Sequence, residues 1–214
     1  DLYSDPNLAV LREYSSNAID SHKESGQARP IEVTLPSSLS SNFVVQDYGT
    51  GMSTDDIRDI YSSYGKSTKQ RDFNQIGAFG LGCKSALTLT QQFTINSVKN
   101  GQKTVAIISR GEDGVGEVNV VSSTDTTESN GVRVTIPIPR RNDFLGKVHD
   151  FFYTWEPGTV LVDGKQPDSL LSDGYAKSKS DFFWYAFNNT RRQGGGNAGF
   201  NVILGGIAYP MSFT

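Results

Sequence analysis

QIGAFGLGCKSAL, residues 75–87, looks at first like a phosphate-binding P-loop. Gly77 is followed by four residues, then Gly82, then a Lys84-Ser85 pair. Cys83 separates Gly82 from Lys84, however, so the G-x-x-x-x-G-K-[ST] spacing misses by one residue. A P-loop also needs a buried strand running straight into its glycines, and the preceding RDFNQI makes a poor strand. The P-loop is therefore rejected. Gly77, Gly80 and Gly82 still stand ahead of a helix, where open backbone N–H groups form an anion site whatever the motif is called. Lys84 falls in the first turn of that helix and opposes its dipole. An anionic ligand would remove the conflict. A glycine-rich loop that merely lets two elements pack fits the same residues.

Upstream, FVVQD (43–47) reads as a β-branched strand and runs into DYGTGM (47–52). Gly49 and Gly51 would let backbone approach a flat ligand closely, and Asp47 would accept a hydrogen bond from it. A tight strand-to-helix turn is the plainer reading. Further upstream, SDPNLAVLREYSSNAIDSHKESG (4–26) reads as a helix capped by Asp5, with Pro6 at its first position and Gly26 at its end. Leu8, Leu11, Ala18 and Ile19 share one side at helical spacing. Glu13, Asn17 and Asp20 share the opposite side. A carboxylate beside a carboxamide suits Mg²⁺ and an attacking water, although a solvated helix face has the same pattern.

The rest of the chain predicts strands at 31–35, 92–98, 103–109, 116–122 and 131–138, and helices over 53–64 and from near Gly82 to about Gln91. KNGQ and SNG supply turn signals. After IPIPRRN the texture changes. A helix over 142–153, a strand and turn in TVLVDGKQ, and strands over 182–187 and 199–209 are expected, with a domain boundary near Pro139.

The chain has 214 residues, 36% hydrophobic and 11% aromatic, enough for a real core. Its 20 basic and 23 acidic residues leave a net charge of −3, with no long block of one sign. A nucleic-acid footprint is thus unsupported. No apolar run approaches the roughly 20 residues of a membrane span. The single Cys83 excludes an internal disulfide framework and a multi-cysteine zinc site, so a cytoplasmic setting is expected. Starting at Asp1 and ending directly after a strand-like run, the sequence reads as a segment of a longer protein.

Three motifs in this order carry more than any one alone: E-x-x-x-N-A-x-D on a helix, D-x-G-x-G-M after a strand, and G-x-x-G-x-G opening a helix. The series resembles the GHKL (Bergerat-fold) ATPase superfamily of gyrase B subunits, heat-shock chaperones, histidine kinases, MutL and MORC proteins. REYSSNAID, VVQDYGTGMS and IGAFGLGCKSA match its first three boxes, and the resemblance covers roughly residues 5–138. Within it, LYSDPNLAVLREYSSNAIDSH and YGKSTKQRDFNQIGAFGLGCKSA most resemble rIIA-like proteins of tailed bacteriophages, which would place the protein in a host cytoplasm.

The resemblance implies an α/β two-layer sandwich: a mixed, largely antiparallel sheet with helices on one face and ATP between the layers. It divides the chain into an ATP-binding domain, 1–139, and the start of a transducer-like α+β domain, 140–214. Carried over, Glu13 would orient and deprotonate the attacking water. Asn17 would hold Mg²⁺, and Asp20 would support the site. Asp47 would accept from the adenine amino group, with Gly49 and Gly51 allowing close approach and Met52 packing on the base. Residues 65–82 would form the ATP lid. Gly77, Ala78, Phe79, Gly80, Leu81 and Gly82 would supply its hinges and amides, and Lys84 would reach the terminal phosphates. Lys66 and Lys69 would add charge to the closed lid.

One departure stands out. The family's fourth signature is a Gly-Thr pair opening a strand, and here NGVRVTIPIP puts Val132 in the threonine's place. The missing hydroxyl bears on hydrolysis more than on binding. The implied activity is slow Mg²⁺-dependent ATP hydrolysis coupled to lid closure, with a homodimer formed on ATP binding or an unidentified protein partner. The alternative is a nucleotide-gated module with negligible hydrolysis. A histidine kinase lacks support, since neither His22 nor His149 is followed by a dimerisation helix pair. DNA-handling domains are likewise not recognised in the sequence. Lys165 in VDGKQP reads as a solvated turn lysine.

Overall fold

The computed structural model describes residues 5–62, 85–111, 116–139, 141–169, 183–185, 200–204 and 207–211. Helix α1 (Pro6–Ser25) starts and stops where its caps dictate. Asp5 accepts from the Leu8 N–H at 3.2 Å, and Gly26 closes the last turn at φ 68°. Its buried stripe is Val10, Leu11, Tyr14, Ser15, Ala18 and His22, while Leu8 and Ile19 are only partly buried. The packed face is therefore rotated from the one that aliphatic residues alone predict.

β1 (Ile31–Thr34) and β2 (Asn42–Gln46) form an antiparallel pair. Helix α2 (Thr54–Ser62) opens with a reciprocal cap, in which the Asp56 N–H donates to Ser53 Oγ at 3.1 Å and the Ser53 N–H donates to Asp56 Oδ2 at 2.8 Å. Residues 85–89 are helical. The remaining expected part of that second helix start, from Gly82 to Lys84, lies outside the described residues. β3 (Gln92–Lys99) and β4 (Gln102–Arg110) are joined by Asn100 and Gly101 at φ 52° and 79°, the two positive angles that a two-residue type I′ hairpin needs. β5 (Gly116–Asp125) and β6 (Gly131–Pro137) follow.

Next come helix α3 (Arg141–Phe152) and β7 (Val160–Val162). The seven strands make one sheet in the order β5-β4-β3-β6-β2-β1-β7. Each described neighbour pair is antiparallel except β1 with β7. This is the mixed, largely antiparallel sheet that was expected.

The helices cover one face. Phe93 on β3 meets the rings of Tyr14 from α1 and Tyr61 from α2 edge-on at 6.0 and 6.1 Å. Phe43 on β2 meets Phe144 from α3 at 4.8 Å. Phe43, Phe93, Ile95, Ile108, Ile136 and Phe144 are all at most 1% exposed, so each contributes about 1.5–3 kcal/mol of burial.

The division expected at Pro139 falls inside this layered unit. α3 packs on α1 through Lys147, whose Nζ lies 2.5 Å from Asp5, and β7 pairs with β1 through Ile31–Val160. β8 (Phe183–Tyr185), β9 (Phe200–Leu204) and β10 (Ile207–Met211) form a separate antiparallel sheet in the order β10-β9-β8. Among the described residues, no helix is long and apolar enough to cross a membrane.

Candidate functional site

A cleft of about 350 Å³ opens between α1, α2 and the helix-covered face of the sheet. Its walls are Tyr14, Asn17 and Ala18 from α1, Met52 and Ile60 from around α2, and Val45, Val132 and Val134 from the sheet. Asp47 sits in the wall at the end of β2 and is 5% exposed.

The Gly49 and Val132 backbone N–H groups and the Ser21 hydroxyl hold the Asp47 carboxylate. The Gly49 N–H reaches Oδ1 at 2.9 Å and the Ser21 hydroxyl at 3.4 Å. Burial is the dominant influence and lifts the Asp47 pKa to about 6, against the pull of its hydrogen bonds from Gly49, Val132 and Ser21.

Gly49 and Gly51 are required by the protein's own packing. A Cβ on Gly49 would lie 2.1 Å from Ser21 Oγ and 2.6 Å from the Ser21 carbonyl. A Cβ on Gly51 would lie 1.9 Å from the Val98 carbonyl oxygen, at a φ of +71° that side chains rarely adopt. Gly51 also lines the cleft; Gly49 is buried against α1. Gly51→Ala is expected to cost more than about 2 kcal/mol of stability, read from the midpoint of a urea unfolding curve. A midpoint equal to the parent's would contradict this packing.

Met52 lines the cleft with its backbone clamped by β3: Ser97 Oγ accepts from the Met52 N–H at 2.7 Å and donates to the Met52 carbonyl at 2.8 Å. At the mouth, Lys99 Nζ pairs with Asp56 at 2.7 Å. The Lys99 bond and the Ser53 cap hold the Asp56 pKa down to about 2.

On α1, Asn17 and Asp20 both line the cleft. Asp20 is exposed and pairs with Lys23 at 3.0 Å, so its side chain is tied to its own helix. Glu13 is half-buried one turn before Asn17 and hydrogen-bonds to the Asn17 side chain. Its Oε1 is buried without a hydrogen-bond partner among the described residues. That desolvation raises the Glu13 pKa, with the Asn17 bond and the Arg12 charge pulling the other way. Among the described residues, no group of three His, Cys, Asp or Glu side chains would hold a metal on its own.

Gly77, Ala78, Phe79, Gly80, Leu81, Gly82 and Lys84 lie outside the described residues, as do Lys66 and Lys69. Lys165 is exposed on a tight turn, bridged through Val162. Ser21, His22, Tyr14 and Ser97 were not singled out by motif. Tyr14, Ala18 and His22 repeat every four residues, a spacing that marks a buried stripe once aromatic and histidine side chains are admitted to it.

Comparison with known proteins agrees with this architecture. The family described as histidine kinase-, DNA gyrase B-, and HSP90-like ATPase matches residues 3–133. The chain belongs to this family, the GHKL ATPases. An uncharacterized protein of Mycoplasma pneumoniae is 26% identical over 169 residues, 77% of this chain and 67% of that protein. The chaperone protein HtpG of Rickettsia akari is 26% identical over 113 residues, 48% of this chain and only 18% of the chaperone. Among solved structures, the ATPase region of Saccharomyces cerevisiae topoisomerase II shares the fold at a TM-score of 0.54 and 16% identity, over 73% of this chain and 47% of that one. The same region bound to ICRF-187 (dexrazoxane) gives 0.53 and 15%, over 85% and 56%.

Proposed function

We propose that the cleft binds ATP with Mg²⁺, and that slow hydrolysis is coupled to closure of a lid formed by residues 65–82. The observation that carries this reading is Asp47: a carboxylate 5% exposed in the wall of a cleft of about 350 Å³. Gly49 and Ser21 anchor one of its oxygens, the Val132 backbone also donates to the carboxylate, and a carboxylate has acceptor capacity beyond these three. That arrangement suits the amino group of adenine. Guanine presents a carbonyl oxygen at the same position, which would set acceptor against acceptor.

Met52 and Ile60 would cover the faces of the base, and Gly51 would border it. Asn17, a turn along α1 from Glu13, would hold Mg²⁺ through its side-chain oxygen, and the ion would neutralise phosphate charge. Glu13 stands behind the cleft wall next to Asn17, and its carboxylate would align the attacking water and take its proton. Lys84, the lid amides of residues 77–82, Lys66 and Lys69 would meet the phosphate oxygens. Asp20, turned to Lys23, acts as support for α1 rather than as a ligand.

Calorimetry at millimolar Mg²⁺ is expected to show ATP and ADP binding, with GTP weaker by about 10²-fold or more. Equal heats from ATP and GTP would remove Asp47 from adenine recognition. No heat from any adenine nucleotide, with the protein folded, would end the reading.

The chain spans less than a fifth of the chaperone and about half of the yeast ATPase region. Coupling to dimerisation, to an unidentified protein partner, or to an rIIA-like role in a phage-infected cytoplasm is therefore proposed on motif wording alone. We place the ATP-binding domain through residue 169, because α3 and β7 complete its layers, with a transducer-like unit beginning in the chain beyond. A second reading, a nucleotide-gated module, is favoured by Val132. Its methyl groups line the cleft where the family's threonine would supply a hydroxyl.

A further inference from the structure

We infer that His22 is a positioning residue for the Asp47 turn: a neutral imidazole that latches residues 47–50 to the end of α1 and makes nucleotide affinity sensitive to its protonation. This rests on the nucleotide reading of the cleft.

The geometry is specific. His22 is 4% exposed. Its Nε2 accepts from the Tyr48 N–H at 2.8 Å, so Nε2 must be unprotonated. The imidazole also donates to the backbone carbonyl of Arg29, which leaves Nδ1 carrying the proton. Tyr48 directly follows Asp47. The preceding residue on α1, Ser21, holds the same turn from the other side, donating to Asp47 Oδ1 at 3.4 Å and accepting from the Thr50 N–H at 3.1 Å. Gln27, whose N–H donates to the His22 carbonyl at 2.9 Å, donates from its side chain to the Tyr48 carbonyl at 3.2 Å. Three residues at one helix end thus fix the backbone that aims Asp47 into the cleft.

The charges around His22 favour the neutral ring. From the loop after α1, Arg29 stacks over the Tyr48 ring at 3.4 Å and pairs with Glu32 of β1 at 2.8 Å. Arg133 of β6 acts on Glu32 and Tyr48. On its own helix, Asp20 and Lys23 are paired with each other in solvent. Burial is the main cause lowering the His22 pKa below 6.5, followed by the opposing Arg29 carbonyl bond and then the Arg29 charge, which adds to the lowering. A second proton would replace the acceptor facing Tyr48 with a donor and break the latch.

The test compares His22→Ala with His22→Gln, whose amide oxygen accepts from Tyr48 while its NH₂ donates to Arg29. ATP affinity at pH 7.5, by calorimetry, is expected to fall about tenfold in H22A and to be largely restored in H22Q. Asp47 is also a stronger acceptor for the adenine amino group when it is ionised. As pH falls through both transitions, the affinity of the parent is therefore expected to fall more steeply than that of H22Q, by up to about a further tenfold, the size of the H22A effect. Equal slopes, or H22Q as weak as H22A, would overturn the latch. If the parent binds no adenine nucleotide, the ATP reading fails instead. The latch is then read from ¹⁵N shifts of the imidazole, where an Nδ1–H tautomer titrating below pH 6.5 supports it and an Nε2–H tautomer refutes it.

Discussion

Asp47→Asn is expected to make the protein more stable at neutral pH and to remove most of its affinity for ATP. Both effects follow from one buried carboxylate. Folding moves the Asp47 pKa from 3.8 to about 6, chiefly through burial. The folded chain therefore holds this proton more tightly than the unfolded one. The group's stabilising contribution is complete below pH 3.8 and is lost as pH rises through about 6. The shift corresponds to roughly 3 kcal/mol at pH 7, an upper bound on what a neutral isostere would recover. Asn can keep its oxygen toward the Gly49 N–H and Ser21, preserving the turn. Its NH₂ then replaces the second oxygen, meets the adenine amino group donor to donor, and forfeits any bond that oxygen accepts from the Val132 N–H. Flipping the amide merely moves that conflict to Gly49. Urea unfolding should show D47N ahead of the parent by about 1–3 kcal/mol at pH 7.5, with the gap closing toward pH 4. ATP affinity should fall about 10²-fold, the worth of a hydrogen bond to a buried charge. If D47N is destabilised at pH 7.5, the carboxylate is held by contacts stronger than its desolvation. If it binds ATP normally, adenine recognition lies elsewhere.

The same residue shows what the sequence made legible and what it did not. Strand 43–47 and the turn after it were readable because β-branched residues end abruptly at D-x-G-x-G. The aspartate could be placed at a strand end without knowing its surroundings. The reason for the two glycines was not readable. They suggested room for a ligand, yet Gly49 is filled by Ser21 and Gly51 by Val98. Those neighbours lie 28 and 47 residues away in sequence, and local pattern carries no information about them.

Helix α1 repeats the lesson. Asp5, Pro6 and Gly26 fixed its ends because capping is a local matter. Its buried face was misjudged by one strip because Tyr14 and His22 are amphipathic and their burial depends on what the sheet presents. The boundary set at Pro139 reflected a change in composition. Whether α3 and β7 rejoin the first sheet depends on β1, more than a hundred residues earlier, whose edge was open to a parallel partner. Asp20 satisfied its motif, but spacing did not disclose that Lys23, three residues on, would engage it. Only backbone motifs with short reach were transparent, and the site is assembled by contacts of long reach.

Glu13 separates the two functional readings. Its Oε1 is buried and unpartnered among the described residues, a costly state in a folded protein unless a water or ligand takes the lone pairs. Burial raises its pKa above 4.5, so the contribution to stability is complete below that value and is lost as pH rises through the raised one. Retaining a carboxylate under that penalty accords with a chemical task. If Glu13 aligns and deprotonates water, single-turnover phosphate release should fall about 10²–10³-fold in Glu13→Ala and Glu13→Gln alike, with ATP affinity changed only a few-fold. Glu13→Gln is the cleaner control, since its amide can still engage Asn17. It should also be the more stable protein at pH 7. The parent's rate should rise with pH through the raised Glu13 pKa and then level, and the residual rate of the variants should not follow that curve. Should parent and variants release phosphate at the same slow rate, the buried carboxylate does no chemistry. Val132 then becomes the better guide, and the protein is a nucleotide-gated module whose bound ATP sets a conformation without being consumed.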